Sequence, residues 1–127
     1  MQWSTALWVG VGGFFGAGLR YVVAEAAQRS SPLERFPVGT LVVNVLGCVG
    51  IGFLVAVLDA RATSHPALRP ALIAGFLGGF TTYSAFAHES LTLLRDGSVA
   101  HAVLHGALHL VLGLVAVGVG FWLGKSV

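Results

Sequence analysis

Four long apolar stretches, separated by short polar segments, fill almost the whole sequence. They run from about Trp3 to Ala24, from Val38 to Leu58, from about Ala67 to Leu94 and from Val99 to Leu123. A helix of about 20 apolar residues crosses a bilayer, so each stretch is long enough to span. The pattern predicts an all-α integral membrane protein, in which residues 1–127 form one transmembrane domain with connections at 28–37, 61–66 and 95–98.

The third stretch contains the sequence Gly-Gly-Phe-Thr-Thr, which predicts a helix broken at Gly78–Thr82. Main-chain N–H and C=O groups cannot stay unpaired in lipid, so protein, water or an ion must satisfy those freed by the break. Broken helices near the bilayer midplane recur at ion-binding sites. The interruption therefore favours a protein that handles ions.

The composition excludes several classes of function. Charged residues make up only 9% of the chain, whereas soluble domains average about 25%. The basic residues stand singly rather than in a patch, so no nucleic-acid partner is expected. The sequence offers no nucleophile–base pair and no catalytic metal cluster, and we therefore expect a membrane protein that is not an enzyme.

Positive charges are almost evenly divided between the two ends of the predicted spans. One side has Arg61, Arg69 and Lys125, and the other has four arginines: Arg20, Arg29, Arg35 and Arg95. An excess of Lys and Arg on cytoplasmic loops normally fixes orientation, and three against four is almost no excess. The balance favours a dual-topology, antiparallel homodimer, although a bias of one residue can also suffice for a single orientation.

Asn44 is an amide in the middle of the second span. It shares a helix face with Thr40, four residues earlier. A polar group at this depth must face protein or water. Two interpretations are equally open: a structural hydrogen bond between helices, or the lining of a polar pathway.

An aromatic pair follows the break directly. Tyr83 and Phe86 are three residues apart and share a face, and aromatic rings have positive edges that attract anions. Thr82 and Ser84 add hydroxyl donors in the same turn. Core packing is the usual role of such aromatics, but their position beside the break favours an anion pathway.

The break also frees main-chain oxygens, those of Gly78 and Thr81. Carbonyl oxygens that converge near the midplane suit a hard cation such as Na⁺. In an antiparallel dimer, two such breaks would meet on the two-fold axis and hold one central cation.

The polar residues of the fourth span are three histidines, His101, His105 and His109, at intervals of four. This spacing predicts a polar stripe that faces a pathway or a partner helix. A zinc site is a less favoured alternative, because no carboxylate or thiol converges with them locally. Arg20, near the end of the first span, either faces a vestibule or extends to the interface.

Three motifs together resemble the Fluc (CrcB) family of fluoride channels. They are GGFFGAGLRY at residues 12–21, GTLVVNVLG at 39–47 and GFLGGFTTYSAF at 75–86. The correspondence extends along the whole chain in order. Any one of the motifs, such as the glycine pair, would be weak evidence alone.

The resemblance implies a dual-topology homodimer with two antiparallel pores for passive, highly selective fluoride export across the bacterial inner (plasma) membrane. It implies that Asn44 donates to fluoride and that rings at positions 83 and 86 line the path. It also implies a central structural Na⁺ on the carbonyls of Gly78 and Thr81, and Arg20 at a vestibule.

The chain departs from the family pattern at two places. The family usually has phenylalanine at the position of Tyr83, and polar Tyr, Ser or Thr on the fourth helix where His105 and His109 stand. The tyrosine retains the ring edge and adds a hydroxyl group. The histidines add side chains that can become charged.

Two other classes of function remain as alternatives. A proton-coupled exporter that resembles the small multidrug resistance proteins requires a membrane-embedded carboxylate on the first helix, and Trp3 to Leu19 contains none. A non-transporting assembly subunit would need only the balanced charges and the glycines. The break and Asn44 argue against such an inert bundle.

The histidines predict a pH response. We expect conduction to rise at acidic pH, because protonated His105 and His109 attract an anion more strongly than neutral ones. Fluoride flux measured between about pH 5 and pH 8, the range in which histidine titrates, checks this. An unchanged pH response in a His105→Ser, His109→Ser double variant would contradict it.

Overall fold

The computed structural model describes residues 3–61 and 65–127 as an all-helical chain. Its elements are α1 (Trp3–Ser30), α2 (Val38–Ala60), α3 (Leu68–Pro70), a π-helical segment (Ala71–Leu77), α4 (Gly78–Phe80), α5 (Tyr83–Arg95) and α6 (Val99–Lys125). We call residues 68–80 the first half-helix and α5 the second half-helix. The predicted connection at 61–66 includes residues 62–64, which lie outside the described residues.

Three helices, α1, α2 and α6, are each long and apolar enough to cross a membrane. The two half-helices supply a fourth, interrupted segment, which agrees with four predicted membrane segments. The first helix is longer than its apolar stretch, because it continues through polar residues to Ser30. An ion pair between Arg29 and Glu25, one turn apart at 2.8 Å, supports this extension.

The break is shorter than the sequence predicts. Starting it at Gly78 is wrong, because Gly78–Phe80 is helical, and only Thr81 and Thr82 are extended, with ψ angles of 160° and 117°. The glycines remain helical because their lack of a side chain serves packing: a methyl group on Gly79 would lie 2.6 Å from the Gly13 carbonyl oxygen of α1. The two threonines, not the two glycines, interrupt the helix.

The break sends the two half-helices to different neighbours. The first half-helix packs mainly on α1, whereas the second packs on α6 and touches α2. The most extensive contact in the molecule joins α2 to α6. Residues 81 and 82 therefore lie between two packing units, the first half-helix on α1 and the second half-helix on α6 and α2. This location positions the site described below.

Glycines on facing helices allow main chains to touch. A methyl group on Gly52 of α2 would collide with the Val117 carbonyl of α6, and one on Gly120 of α6 would collide with the Val49 carbonyl of α2. Small residues that let backbones approach are a typical means of association in lipid, where the hydrophobic effect does not drive helices together. Glycines at these positions therefore serve helix packing.

Alanine substitutions test this contact with a matched pair. We expect Gly120→Ala to destabilise the fold by about 1–3 kcal/mol, the usual cost of overpacking, because the methyl group meets main chain that cannot yield. Gly118→Ala, on the same helix with open space around it, should be neutral or slightly stabilising. Denaturant or thermal unfolding in detergent measures both; equal stability of the two variants would contradict the packing argument.

Candidate functional site

The centre of the site is a pair of hydrogen bonds between Asn44 of α2 and the main chain of Thr82. The Asn44 Oδ1 atom accepts the Thr82 N–H at 2.8 Å, and the Asn44 Nδ2 donates to the Thr82 carbonyl at 3.0 Å. The side-chain amide of Asn44 thus satisfies both the N–H and the C=O of Thr82, which is not part of a helix. Nδ2 carries two hydrogens, so its second N–H remains for another acceptor.

Thr81 and Thr82 end the first half-helix and begin the second. The Thr81 hydroxyl donates back to the Leu77 carbonyl at 2.9 Å, in the last turn of the first half-helix. Thr82 is the N-cap of the second half-helix, where its Oγ1 accepts the Ala85 N–H at 3.2 Å. Threonine favours this position because its side chain satisfies a free amide of the first turn.

Two cavities, each of about 510 Å³, have Thr82 in their walls. One, which we call the groove, is bounded chiefly by α2, the break and α6; its walls include Asn44, Gly78, Thr81, Thr82, Tyr83, Phe86 and His109. The other, which we call the vestibule, is bounded by α1, α2 and α5; its walls include Arg20, Thr40, Thr82, Ser84 and His88. Thr82 lines both cavities.

Successive residues at the start of α5 serve different cavities. Tyr83 lines the groove and Ser84 lines the vestibule, where its hydroxyl lies 3.3 Å from the Thr82 hydroxyl. Consecutive residues of an α-helix differ in direction by about 100°, which explains the division. The Tyr83 side of the groove is open, with the tyrosine 80% exposed.

The aromatic pair continues into the histidines of α6. The Tyr83 and Phe86 ring centroids are 5.6 Å apart, and Phe86 lies 4.5 Å from His109 and 5.1 Å from His105. Phe86 and His109 both line the groove. The three rings Tyr83, Phe86 and His109 therefore form a continuous aromatic wall.

The histidine stripe divides into three environments. His101 is exposed, His109 is partly buried in the groove wall, and His105 is fully buried and lines neither cavity. Residues four apart are offset by about 40° around a helix, so the three side chains turn progressively around α6. In the described part of the chain, no three His, Cys, Asp or Glu side chains are grouped to hold a metal ion.

A polar contact that sequence reasoning did not assemble lies next to His105. The Thr40 hydroxyl donates to Glu89 Oε1 at 2.5 Å, and Glu89 Oε2 lies 3.4 Å from His105 Nε2. The shared helix face of Thr40 and Asn44 is the sequence feature that could have indicated this contact. Thr40 bonds to Glu89 of α5, and Asn44 bonds to Thr82, the N-cap of the same helix. What the sequence lacked was the direction of α5 relative to α2.

The main-chain oxygens of the break have lost their helical donors. In a continuous helix the Gly78 carbonyl would accept the Thr82 N–H, which goes to Asn44 instead. The Thr81 carbonyl would accept the Ala85 N–H, which goes to the Thr82 hydroxyl. Arg20 Nη1, from α1, approaches the Thr81 oxygen at 3.4 Å.

Comparisons with known proteins identify the family of the chain. The family model described as CrcB-like protein, Camphor Resistance (CrcB), matches residues 7–121. A relative named Fluoride-specific ion channel FluC, from Nitratidesulfovibrio vulgaris (strain DSM 19637 / Miyazaki F), is 41% identical over 94% of this chain and 95% of its own. A relative of the same name from Paracoccus denitrificans (strain Pd 1222) is 43% identical over 96% and 95%, respectively. The chain therefore belongs to the CrcB-like family, whose curated relatives include fluoride-specific ion channels.

Proposed function

We propose that the protein is a passive, highly selective fluoride channel that exports fluoride across the bacterial inner membrane. The observation that carries the proposal is that one residue, Thr82, lines both cavities, beside the second N–H of Asn44. The name of the curated relatives supports the choice of ion. Each relative aligns over nearly its whole length, so the whole chain takes part in the comparison.

The lining suits a small anion that gives up its water stepwise. Hydroxyl groups of Thr82 and Ser84 and the second N–H of Asn44 are donors, and the rings of Tyr83 and Phe86 offer positive edges. Arg20 brings a positive charge to the vestibule wall. A rigid, close-packed path with such donors would exclude chloride because it cannot widen.

The direction of flow follows from the membrane potential. A cell interior held negative drives anions outward, at about 2.3 kcal/mol per charge for each 100 mV. A passive channel needs no energy source of its own under that force. Export is therefore the expected direction for a fluoride channel in the inner membrane.

An antiparallel homodimer would complete the site. Arg20 lies at the level of the break, ten residues before the end of α1, and is not in a loop. Without it the loops and helix ends have three positive residues on each side, so the charge bias disappears. The open side of the groove, at Tyr83, offers the surface on which a second copy would pack.

A central structural Na⁺ fits the oxygens freed at the break. The carbonyls of Gly78 and Thr81 lack their helical donors, and carbonyl oxygens suit a hard cation. One chain supplies two such oxygens, and a second copy would supply two more. The ion would hold the two breaks together and would not be transported.

The proton-coupled exporter receives little support. Its mechanism needs an embedded carboxylate on the first helix, and Glu25 of α1 instead forms an exposed ion pair with Arg29 at 2.8 Å. A carboxylate held by a neighbouring arginine near a helix end is poorly placed to exchange protons with a drug. The passive channel therefore remains the better proposal.

Fluoride and chloride efflux from reconstituted liposomes tests the channel. We expect rapid fluoride loss without chloride loss. Asn44→Asp should lower the rate at least about tenfold, because it removes the N–H donor and adds a negative charge, and an unsatisfied buried group alone costs about 1–3 kcal/mol. Ion-selective electrodes for both anions give the measurement.

Cys48→Ala is the matched control, since Cys48 lies one turn after Asn44 and also lines the groove. It should retain selective fluoride loss. Equal loss of both anions from wild-type vesicles would contradict selectivity, and loss of neither, with protein present in the vesicles, would refute the channel. Size-exclusion profiles show whether each variant is folded.

Topology and sodium are tested by two separate experiments. In a Cys48→Ala, Ser126→Cys variant, which keeps every charge, an impermeant maleimide added to intact spheroplasts should label about half of the protein, because balanced charges permit both orientations. Complete labelling or none would contradict dual topology.

Subunit exchange between dimers should be slower in Na⁺ than in a large organic cation, because the central ion would hold the two breaks together. Equal exchange rates in the two cations would contradict the proposed central ion.

A further inference from the structure

Glu89, which is partly exposed, and His105, which is fully buried, form a pair whose hydrogen bonding is incomplete. Glu89 Oε2 lies 3.4 Å from His105 Nε2, and no other described residue provides a hydrogen-bond partner for these two atoms or for His105 Nδ1. The His105 side chain has no exposed surface, and that of Glu89 is 27% exposed. Polar atoms buried in this way nearly always have partners, so the pair requires an explanation.

One proton would complete the pair. A carboxylate and a neutral imidazole can each present only a lone pair at a shared contact, whereas a proton on either atom makes one a donor and the other an acceptor. An unneutralised carboxylate inside a membrane protein is costly. The contact between Oε2 and Nε2 is therefore a site at which the fold favours one bound proton.

Neither residue is placed to hold that proton alone. His105 is enclosed by aromatic rings, with Phe36 at 5.5 Å and Phe86 at 5.1 Å between centroids, and an isolated imidazolium there would have no counter-charge except Glu89. Glu89 has a single hydroxyl donor, Thr40 at 2.5 Å, on its other oxygen. The two residues therefore act as a unit.

The pair lies one side chain behind the walls of both cavities. Thr40, bonded to Glu89, lines the vestibule, and Phe86, packed on His105, lines the groove. Charge on the pair is therefore felt on both sides of Thr82. Water in the vestibule is also the nearest source of the proton, because Glu89 is the partly exposed member.

The surrounding charges come from three helices. In the described part of the chain, α5 contributes His88 beside Glu89, α6 contributes His101 and His109 beside His105, and α1 contributes Arg20 across the vestibule. From α2 comes only the Thr40 hydroxyl. Among these groups, Glu89 and His105 are the two that touch through unpartnered atoms.

We propose that Glu89 and His105 bind one proton between them and that the charge of this pair, neutral with the proton and −1 without it, controls the passage of anions. The proposal rests on the proposed channel function and adds its regulation. Loss of the proton places a negative charge behind both cavity walls and repels the anion. The pair therefore acts as a sensor that closes the path electrostatically as pH rises.

Fluoride efflux as a function of pH tests the regulation, with protein-free vesicles at each pH to subtract the leak of undissociated acid. We expect the wild-type rate to fall about three- to tenfold as pH rises through the histidine range of about 5 to 8. Glu89→Gln should hold the rate near the acidic limit at every pH. His101→Gln, an exposed histidine on the same helix, is the matched control and should respond as the wild type.

The Glu89→Gln result separates the shared proton from the action of histidines alone. If titration of His105 or His109 sufficed, this variant would still respond to pH, and that result would overturn the proposal. A wild-type rate that does not change with pH would also overturn it, and would leave selective fluoride conduction intact.

Histidine ¹⁵N NMR on the reconstituted protein provides a readout that does not depend on transport. The His105 signals, identified by their loss in His105→Gln, should report a hydrogen-bonded proton at low pH and lose it at high pH. Glu89→Gln should abolish this change. A His105 ring that stays neutral and unchanged in the wild type would refute the shared proton, even if no fluoride flux were seen; a shared proton without flux at any pH would refute the channel instead.

Discussion

The bidentate bond between Asn44 and Thr82 is the interaction on which the remaining features depend. A helix that stops inside a membrane leaves main-chain groups without water to satisfy them, and each such group costs several kcal/mol. Asn44 takes one N–H and one C=O of the break, and the Thr82 hydroxyl takes a third group. These three bonds satisfy part of the interrupted main chain and help the break to keep a fixed shape between two cavities.

The fixed break organises the chemistry around it. Because the amides of residues 82 and 85 are taken by side chains, the oxygens of Gly78 and Thr81 lose their helical donors, and Arg20 donates to the Thr81 oxygen at 3.4 Å. Because α5 begins at Tyr83, its first two side chains enter opposite cavities. The same register brings Glu89, two turns further on, to Thr40 and His105. The hydrogen bonds at Thr82 thus fix the positions of the residues that line the two cavities. They also fix the position of Glu89 and His105 behind the cavity walls.

The sequence predicted the features that depend on composition and local spacing. Apolar stretches gave four membrane segments, the Gly-Gly-Phe-Thr-Thr motif located the break to within three residues, and the amide at Asn44 was recognised as needing a partner. It did not predict that the glycines stay helical, because their role is a contact with α1 that lies far away in the chain. It also assigned both His105 and His109 to the pathway; their ring centroids are 4.4 Å apart, but His105 is buried against Phe36 and only His109 lines the groove. Such differences depend on how helices are rotated about their axes, which no local pattern specifies.

The glycine contacts between α2 and α6 also bear on how the protein responds to heat. Glycine has no side-chain torsion to freeze, so closing this seam costs almost no rotamer entropy, whereas ordering a long side chain costs up to about 2 kcal/mol. The free-energy cost of fixing side-chain rotamers grows with temperature. A contact between α2 and α6 that is made largely of main chain has little of this cost. As the protein is warmed, α2 and α6 should therefore remain together while contacts made by longer side chains, such as those of α5, loosen first.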